Sequence, residues 1–220
     1  MGGHFDFWTD NSELILRSFW LTIQLFVLSG ILSLIVGAVL ASFRVGPVPV
    51  LRWFATGYIT IFRNTPLLMI FMFVFIAMPR LGWNAPFLAK GVFALTIYTA
   101  AFVCEVLRSG VNSVDLGQAV AGRAMGFTFV QNMRAVVLPQ AFRAVVPPMA
   151  STLIALSKNT SVAAAFGLAE ATFRMKGMTN DYATERTQIF FTFAIGYIII
   201  VEVVSFLANR LERRWRVAAR

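Results

Sequence analysis

The 220-residue sequence predicts an all-α membrane protein with five transmembrane helices, its N-terminus outside and its C-terminus inside. Three observations lead there. Hydrophobic residues make up 58% of the chain and mean hydropathy is +0.74, well above a soluble domain. Apolar runs long enough to cross a bilayer, about 20 residues, recur between short polar segments. The basic residues are asymmetric: eleven fall in segments assigned inside and six in segments assigned outside, with Arg63 and Lys158 left within the membrane. At this length one domain is expected, comprising an external lead (1–13), a transmembrane domain (14–208) and a basic inner tail (209–220).

The lead carries Asp6, Asp10 and Glu13 and no basic residue. The apolar stretch after it is too long for a signal-peptide core, so no cleavable signal is expected. The first span is 14–43, with Gly30, Ser33 and Gly37 forming a small-residue stripe suited to helix packing. A basic turn with Arg44, Pro47, Pro49 and Arg52 leads to the second span, 53–78, where Pro66 breaks the backbone ladder. An outer loop around Gly82 precedes the third span, 87–108. There Glu105 and Arg108 stand three residues apart and predict a local pair. The fourth span is irregular: an apolar run 145–156 is interrupted by Ser157 to Ser161 and resumes as a small helix over 162–173. That pattern predicts a broken or re-entrant element. A polar outer loop, 174–186, then leads to the fifth span, 187–208, with Glu202 toward its inner end.

Between the third and fourth spans lies the one long non-hydrophobic interruption, 115–143, placed inside by the charge count. It carries the punctuation of two short helices. Asp115 can cap the first, which is built from small residues (Ala119, Ala121, Gly122, Ala124) and ends at Gly126. Thr128 and Gln131 make a capping box for a second helix, expected to stop near Pro139. So little side chain on the first helix invites close approach by another surface, of this chain or of a partner.

Several classes are excluded by residue content. One cysteine, Cys104, leaves no internal disulfide and no metal set, and the lone His4 lies in the lead. The bases flank apolar spans, so the net charge of +9 reads as membrane orientation rather than nucleic-acid binding. None of the three lysines sits in a phosphate-cradling P-loop, and no acid pair or triad falls in catalytic register. The chain is read as non-catalytic. Phe71, Phe73 and Phe75 read as packing and lipid contact, and Met69, Met72 and Met78 as core.

Two charges in hydrocarbon need an explanation, because each costs roughly 2.5–3.5 kcal/mol on insertion scales. Arg63 reads either as a structural pair near Pro66 or as a cavity wall facing a substrate carboxylate. Lys158 poses the same choice. Glu105 and Glu202, near inner ends, look poorly placed for either, whereas Glu170 would serve if the broken element folds back. Asn64, Thr65, Asn159, Thr160 and Ser161 could add hydrogen bonds to a pathway or satisfy broken-helix backbone.

The loop spacing, with Gly126 four residues after Gly122 and nine residues lying between Gly126 and Val136, resembles the EAA loop of ABC importer membrane subunits. FRNTPLL (62–68), YTAAFVCEVLRSG (98–110), LPQAFRAVVPP (138–148) and SKNTS (157–161) are similar to the polar amino acid permeases of that superfamily, the histidine, glutamine and glutamate type. The glutamate/glutamine importers of actinobacteria are nearest. The likeness covers about 14–210. Where the family has Glu-Ala-Ala this chain has Val120, Ala121 and Gly122, so the carboxylate is missing.

The resemblance implies the type I ABC importer permease fold and import of a polar amino acid, glutamate or a relative. Val120, Ala121, Gly122, Arg123, Ala124, Gly126 and Pro139 would form the unit that docks on the ATPase. Arg63, Asn64, Thr65, Lys158, Asn159, Thr160 and Ser161 would line the pathway. The partners implied are a second permease subunit, different or identical, two ATP-binding subunits and an external solute-binding protein. All would assemble in the lipid of the bacterial cytoplasmic membrane, with ATP and magnesium bound by the partner and no cofactor by this chain. The rivals are an ion-coupled secondary carrier, disfavoured by the lack of an inverted repeat, and a non-transporting scaffold subunit.

Overall fold

The computed structural model describes residues 3–217, and every element among them is helical. Helix α1, Gly3–Val45, takes in most of the expected lead. No Gly or Pro stands between His4 and Glu13, so the first span's helix extends back through it. The side chains of residues 1–10, His4, Asp6 and Asp10 among them, lie outside the described residues. Helix α1 packs on α5, Phe87–Asn112, along the predicted stripe. Ser33 is fully buried and its Oγ donates to the Thr96 carbonyl at 3.4 Å. A Cβ on Gly37 would overlap Val103 and sit 3.0 Å from the Ala100 carbonyl, so only glycine lets the two backbones close.

The second span is not one straight rod. Helix α2, Pro49–Asn64, and the segment Leu67–Arg80 meet at 104°. Pro66 donates no N–H and forces Thr65 into an extended conformation (φ −97°, ψ 127°), which ends α2. The second arm comprises α3, Leu67–Met72, a π turn, Phe73–Ala77, and α4, Met78–Arg80. It packs through Phe71, fully buried, whose ring lies 5.5 Å from Phe166 and 5.8 Å from Phe75. Phe73 is exposed, as lipid contact requires. Met69 and Met72, expected in the core, are 53% and 42% exposed, because the bend turns that face of α3 outward; Met78 packs on the core.

Among the described residues three segments are long and apolar enough to cross a membrane: Asn11–Val45, Phe87–Asn112 and Ala183–Arg210. The bent pair makes a fourth if counted as one span. Helix α8, Leu138–Asn159, is less apolar, carrying Gln140, Arg143 and Lys158. It runs through Pro147 and Pro148 to Asn159 rather than breaking at Ser157. The break falls after it: a 3₁₀ turn, Thr160–Phe166, then Gly167 with φ +82°, a left-handed position that glycine adopts without cost. The small helix expected over 162–173 is therefore absent. Residues 174–186, expected as loop, are mostly helix α9, Ala171–Asp181, because Glu170 caps it through Phe173 N at 3.0 Å. Helix α10, Arg186–Val217, closes the chain and carries part of the basic tail.

Candidate functional site

The segment 115–143 forms a capped elbow. Asp115 Oδ1 accepts from Gly117 N at 2.6 Å and starts α6, Leu116–Ala124. Gly126, with φ +85°, turns the chain, and its N–H donates to the Arg123 carbonyl. The predicted capping box is present: Thr128 Oγ1 accepts from Gln131 N at 3.3 Å, and Gln131 Oε1 accepts from Thr128 N at 2.9 Å. It opens α7, Phe129–Asn132. The expected stop at Pro139 does not occur. A π turn, Met133–Val137, stands directly before α8, Pro139 falls in the first turn of α8, and Gln140 Nε2 donates to the Val136 carbonyl at 2.9 Å. The wider turn absorbs the missing proline N–H, so the elbow continues into α8.

One side of α6 is held to this chain and the other is free. Gly122 is buried, and a Cβ there would overlap Asn132 Oδ1. Asn132 Nδ2 donates to the Ala119 carbonyl at 2.8 Å, stapling α6 to α7. Asn132 was not singled out from the sequence, where an Asn in a polar loop carries no distinguishing signal. Away from it, Leu116 (80% exposed), Val120 (55%) and Met125 (68%) form an apolar face, joined by exposed Ala121, Arg123 and Ala124.

Arg63 has an anion. Its Nη1 lies 3.7 Å from Glu105 Oε2, and its guanidinium sits 5.5 Å from the centre of the Phe102 ring. Glu105 also takes Arg44 at 3.0 Å and Arg108 at 2.8 Å, the latter as predicted. The expectation that Glu105 is poorly placed for Arg63 fails, because the 104° bend leaves Arg63 in the last turn of α2 beside α5. One carboxylate thus ties the ends of α1, α2 and α5 together. Asn64 is exposed, and Thr65 Oγ1 donates to the Ile61 carbonyl at 2.8 Å at the end of α2.

The residues at the end of α8 face different surroundings. Asn159 lines a cleft of about 240 Å³ with Tyr98, Thr99, Ser151, Thr152 and Phe102, the ring under Arg63. Thr160 is buried and donates to the Ser157 carbonyl at 2.7 Å. Lys158 is exposed and lines, with Ser161, a second cavity of about 540 Å³ between α8, α9 and α10. Glu202 lines that same cavity, which α10 forms by packing alongside α8, and it makes no ion pair with Lys158. Glu170 does fold back, but onto hydroxyls: it is fully buried, accepting from Tyr197 OH at 2.6 Å and Thr22 Oγ1 at 3.3 Å. Among the described residues no group of three or more metal-ligating side chains occurs.

Helices with membrane-length apolar faces, a bent half-helix and a capped, partly unpartnered elbow define a membrane permease. The chain belongs to the family described as binding-protein-dependent transport system inner membrane component, whose model matches residues 15–217. It is 41% identical to the glutamate transport system permease protein GluC of Corynebacterium efficiens, covering 96% of this chain and 97% of that one. It is 31% identical to the probable glutamine ABC transporter permease protein GlnM of Bacillus subtilis, covering 93% and 94%. The fold matches the crystal structure of an amino acid ABC transporter with histidines at a TM-score of 0.87, 26% identity, over 97% of this chain and all of that one. The chain is thus a transport component, the permease subunit of an ABC importer, and not an enzyme. Proteins of this kind work with further permease, ATPase and solute-binding components.

Proposed function

We propose that this chain is the membrane-spanning subunit of an ATP-driven importer of polar amino acids, with glutamate or its amide or acidic relatives as substrate. Its relatives' substrates support that choice. Five spans run N-out to C-in in the cytoplasmic membrane, the fourth being α8 and the fifth α10. Two permease subunits enclose the path, since five helices cannot surround one alone, and two ATPase copies hold ATP and magnesium. A solute-binding protein delivers substrate from outside. The pathway runs past Arg63, Asn64 and Thr65 at the bend and Lys158 to Ser161 at the end of α8.

The observation that carries the coupling role is the elbow. Its apolar face, Leu116, Val120 and Met125, is exposed on a helix fixed from behind by Gly122 and Asn132 and continued into α8. Such a face, kept off water by a partner, transmits displacement because its frame is rigid. Closure of the ATPase dimer moves two such elbows together and tilts the spans. Val120, in place of the family's usual Glu, makes the contact apolar where a carboxylate would make it polar.

The test is purification through a C-terminal tag and reconstitution in lipid. An ATPase that copurifies, with hydrolysis stimulated by one amino acid and its binding protein, is the expected result. Absence of a copurifying ATPase, under conditions that preserve other membrane complexes, would overturn the reading.

A further inference from the structure

We propose that the groove between α1, α8 and α10, at the root of the elbow, is a site for an anionic phospholipid, with its phosphate on Arg134 and an acyl chain along α8. The proposal goes beyond the import role and takes from it only the placement of the elbow on the inner side of the membrane.

The groove is two adjoining cavities, of about 530 and about 600 Å³, joined where Ala38, Leu107, Phe142 and Val145 line both. The first lies between the inner end of α1, at Val45, and the elbow, at Phe129 and Met133. The second continues between α8 and α10, from Met149 and Leu153 to Val204 and Leu207. Along α8 the lining runs from Leu138 to Leu153, about 22 Å at 1.5 Å per residue. Half of a hydrocarbon core is about 15 Å, so the groove accommodates a chain through the whole inner leaflet.

The walls are hydrocarbon. No side chain lining the second cavity is polar, and the first has only Ser42 and Arg134. Ser42 is already satisfied, its Oγ donating to the Ala38 carbonyl at 2.9 Å. A cavity of this kind stays dry and takes apolar ligands. At its edge Phe129, Val130, Leu138 and Phe142 are exposed.

Arg134 decides which lipid. It stands about one turn before Leu138 and lines the inner end of the groove. It is exposed, and among the described residues it enters no ion pair and no contact with an aromatic ring. Arg44, at the end of α1, is by contrast tied to Glu105. No carboxylate lines either cavity among the described residues. A basic pocket between helices on the cytoplasmic side is where acidic headgroups bind. A soluble anion would match the arginine and leave the walls bare. A zwitterionic lipid would fill the walls, but its own ammonium offsets the charge of its phosphate. An anionic phospholipid meets both demands. No residue of α6 lines the groove, so the lipid does not compete with a partner on the apolar face of that helix.

The test is native mass spectrometry of the detergent-solubilised complex, titrated with phosphatidylglycerol or with phosphatidylcholine of the same acyl chains. Saturable binding of phosphatidylglycerol about 5-fold tighter than phosphatidylcholine is expected, the roughly 1 kcal/mol that one arginine adds near an anionic surface. Arg134→Gln should remove that preference. Arg143→Gln, at an exposed arginine of α8 that lines neither cavity, should keep it. Ala38→Trp fills the groove and should weaken both lipids. Thermal melting of each variant complex controls for misfolding. In the complex reconstituted in mixed vesicles of the two lipids, p-benzoylphenylalanine at position 38 should cross-link to phosphatidylglycerol. Equal binding of the two lipids, a preference that survives Arg134→Gln, or an equal loss in Arg143→Gln overturns the proposal. A cross-link to a partner chain instead of a lipid makes the groove a subunit interface and also overturns it. Lipid retention in detergent needs no transport, so its failure leaves the import role standing, and a failure of uptake leaves the lipid site standing.

Discussion

Glu105 is the residue on which the most charge converges. It holds Arg44 and Arg108 at hydrogen-bond distance and Arg63 more loosely at 3.7 Å. Replacing it by Gln leaves three guanidiniums at one place with no carboxylate. Removing one partner of a buried pair costs roughly 3–5 kcal/mol; the Glu105 side chain is 19% exposed, so about 1–3 kcal/mol is expected after screening. The Glu105→Gln complex should therefore melt several degrees lower and be recovered in lower yield, with Glu105→Asp intermediate. An unchanged melting temperature would show that the cluster is an ornament of the surface. Sequence spacing revealed only the Glu105–Arg108 pair, because it is local. Arg44 and Arg63 reach Glu105 from 61 and 42 residues away, and no periodicity encodes such a meeting.

At the scale of elements, the sequence was legible wherever a backbone rule acts alone. Asp115, Gly126 and the Thr128–Gln131 box are local hydrogen-bond and dihedral statements, and each stands in the structure. Proline was read less well. Pro66 breaks its helix by 104°, whereas Pro139, Pro147 and Pro148 lie within α8. The difference is what surrounds the ring: a π turn precedes Pro139, while at Pro66 the arms pack on different neighbours. Pro66→Ala separates these causes. With spin labels at positions 57 and 76, straightening should lengthen the mean distance by on the order of 10 Å. An unchanged distance would assign the bend to the packing of Phe71 and Phe166 rather than to the missing N–H. Loop and helix were confused at 174–186, where polar composition hid an 11-residue helix whose cap, Glu170, is fully buried.

For the molecule as a whole, the class and the all-helical permease fold followed from composition and from motif order, because a bilayer permits few arrangements of a chain this apolar. The candidate site was legible only in part. Lys158 stood out as a charge in an apolar run and Glu202 as a charge near an inner end, but that the two line one cavity emerges only once α8 and α10 lie side by side. The account makes the chain a rigid transmitter: ATPase closure at α6, a stapled elbow, and a helix that carries the displacement into the membrane. Gly126 is its most exposed point of failure, because φ +85° admits a bulky β-branched residue only with strain. The most direct measurement is the ratio of amino acid imported to ATP hydrolysed in reconstituted vesicles, wild type against Gly126→Val. The account predicts that the variant still assembles and hydrolyses ATP while import per ATP falls at least 10-fold. Import and hydrolysis that keep the wild-type ratio would contradict it and place the coupling elsewhere in the complex.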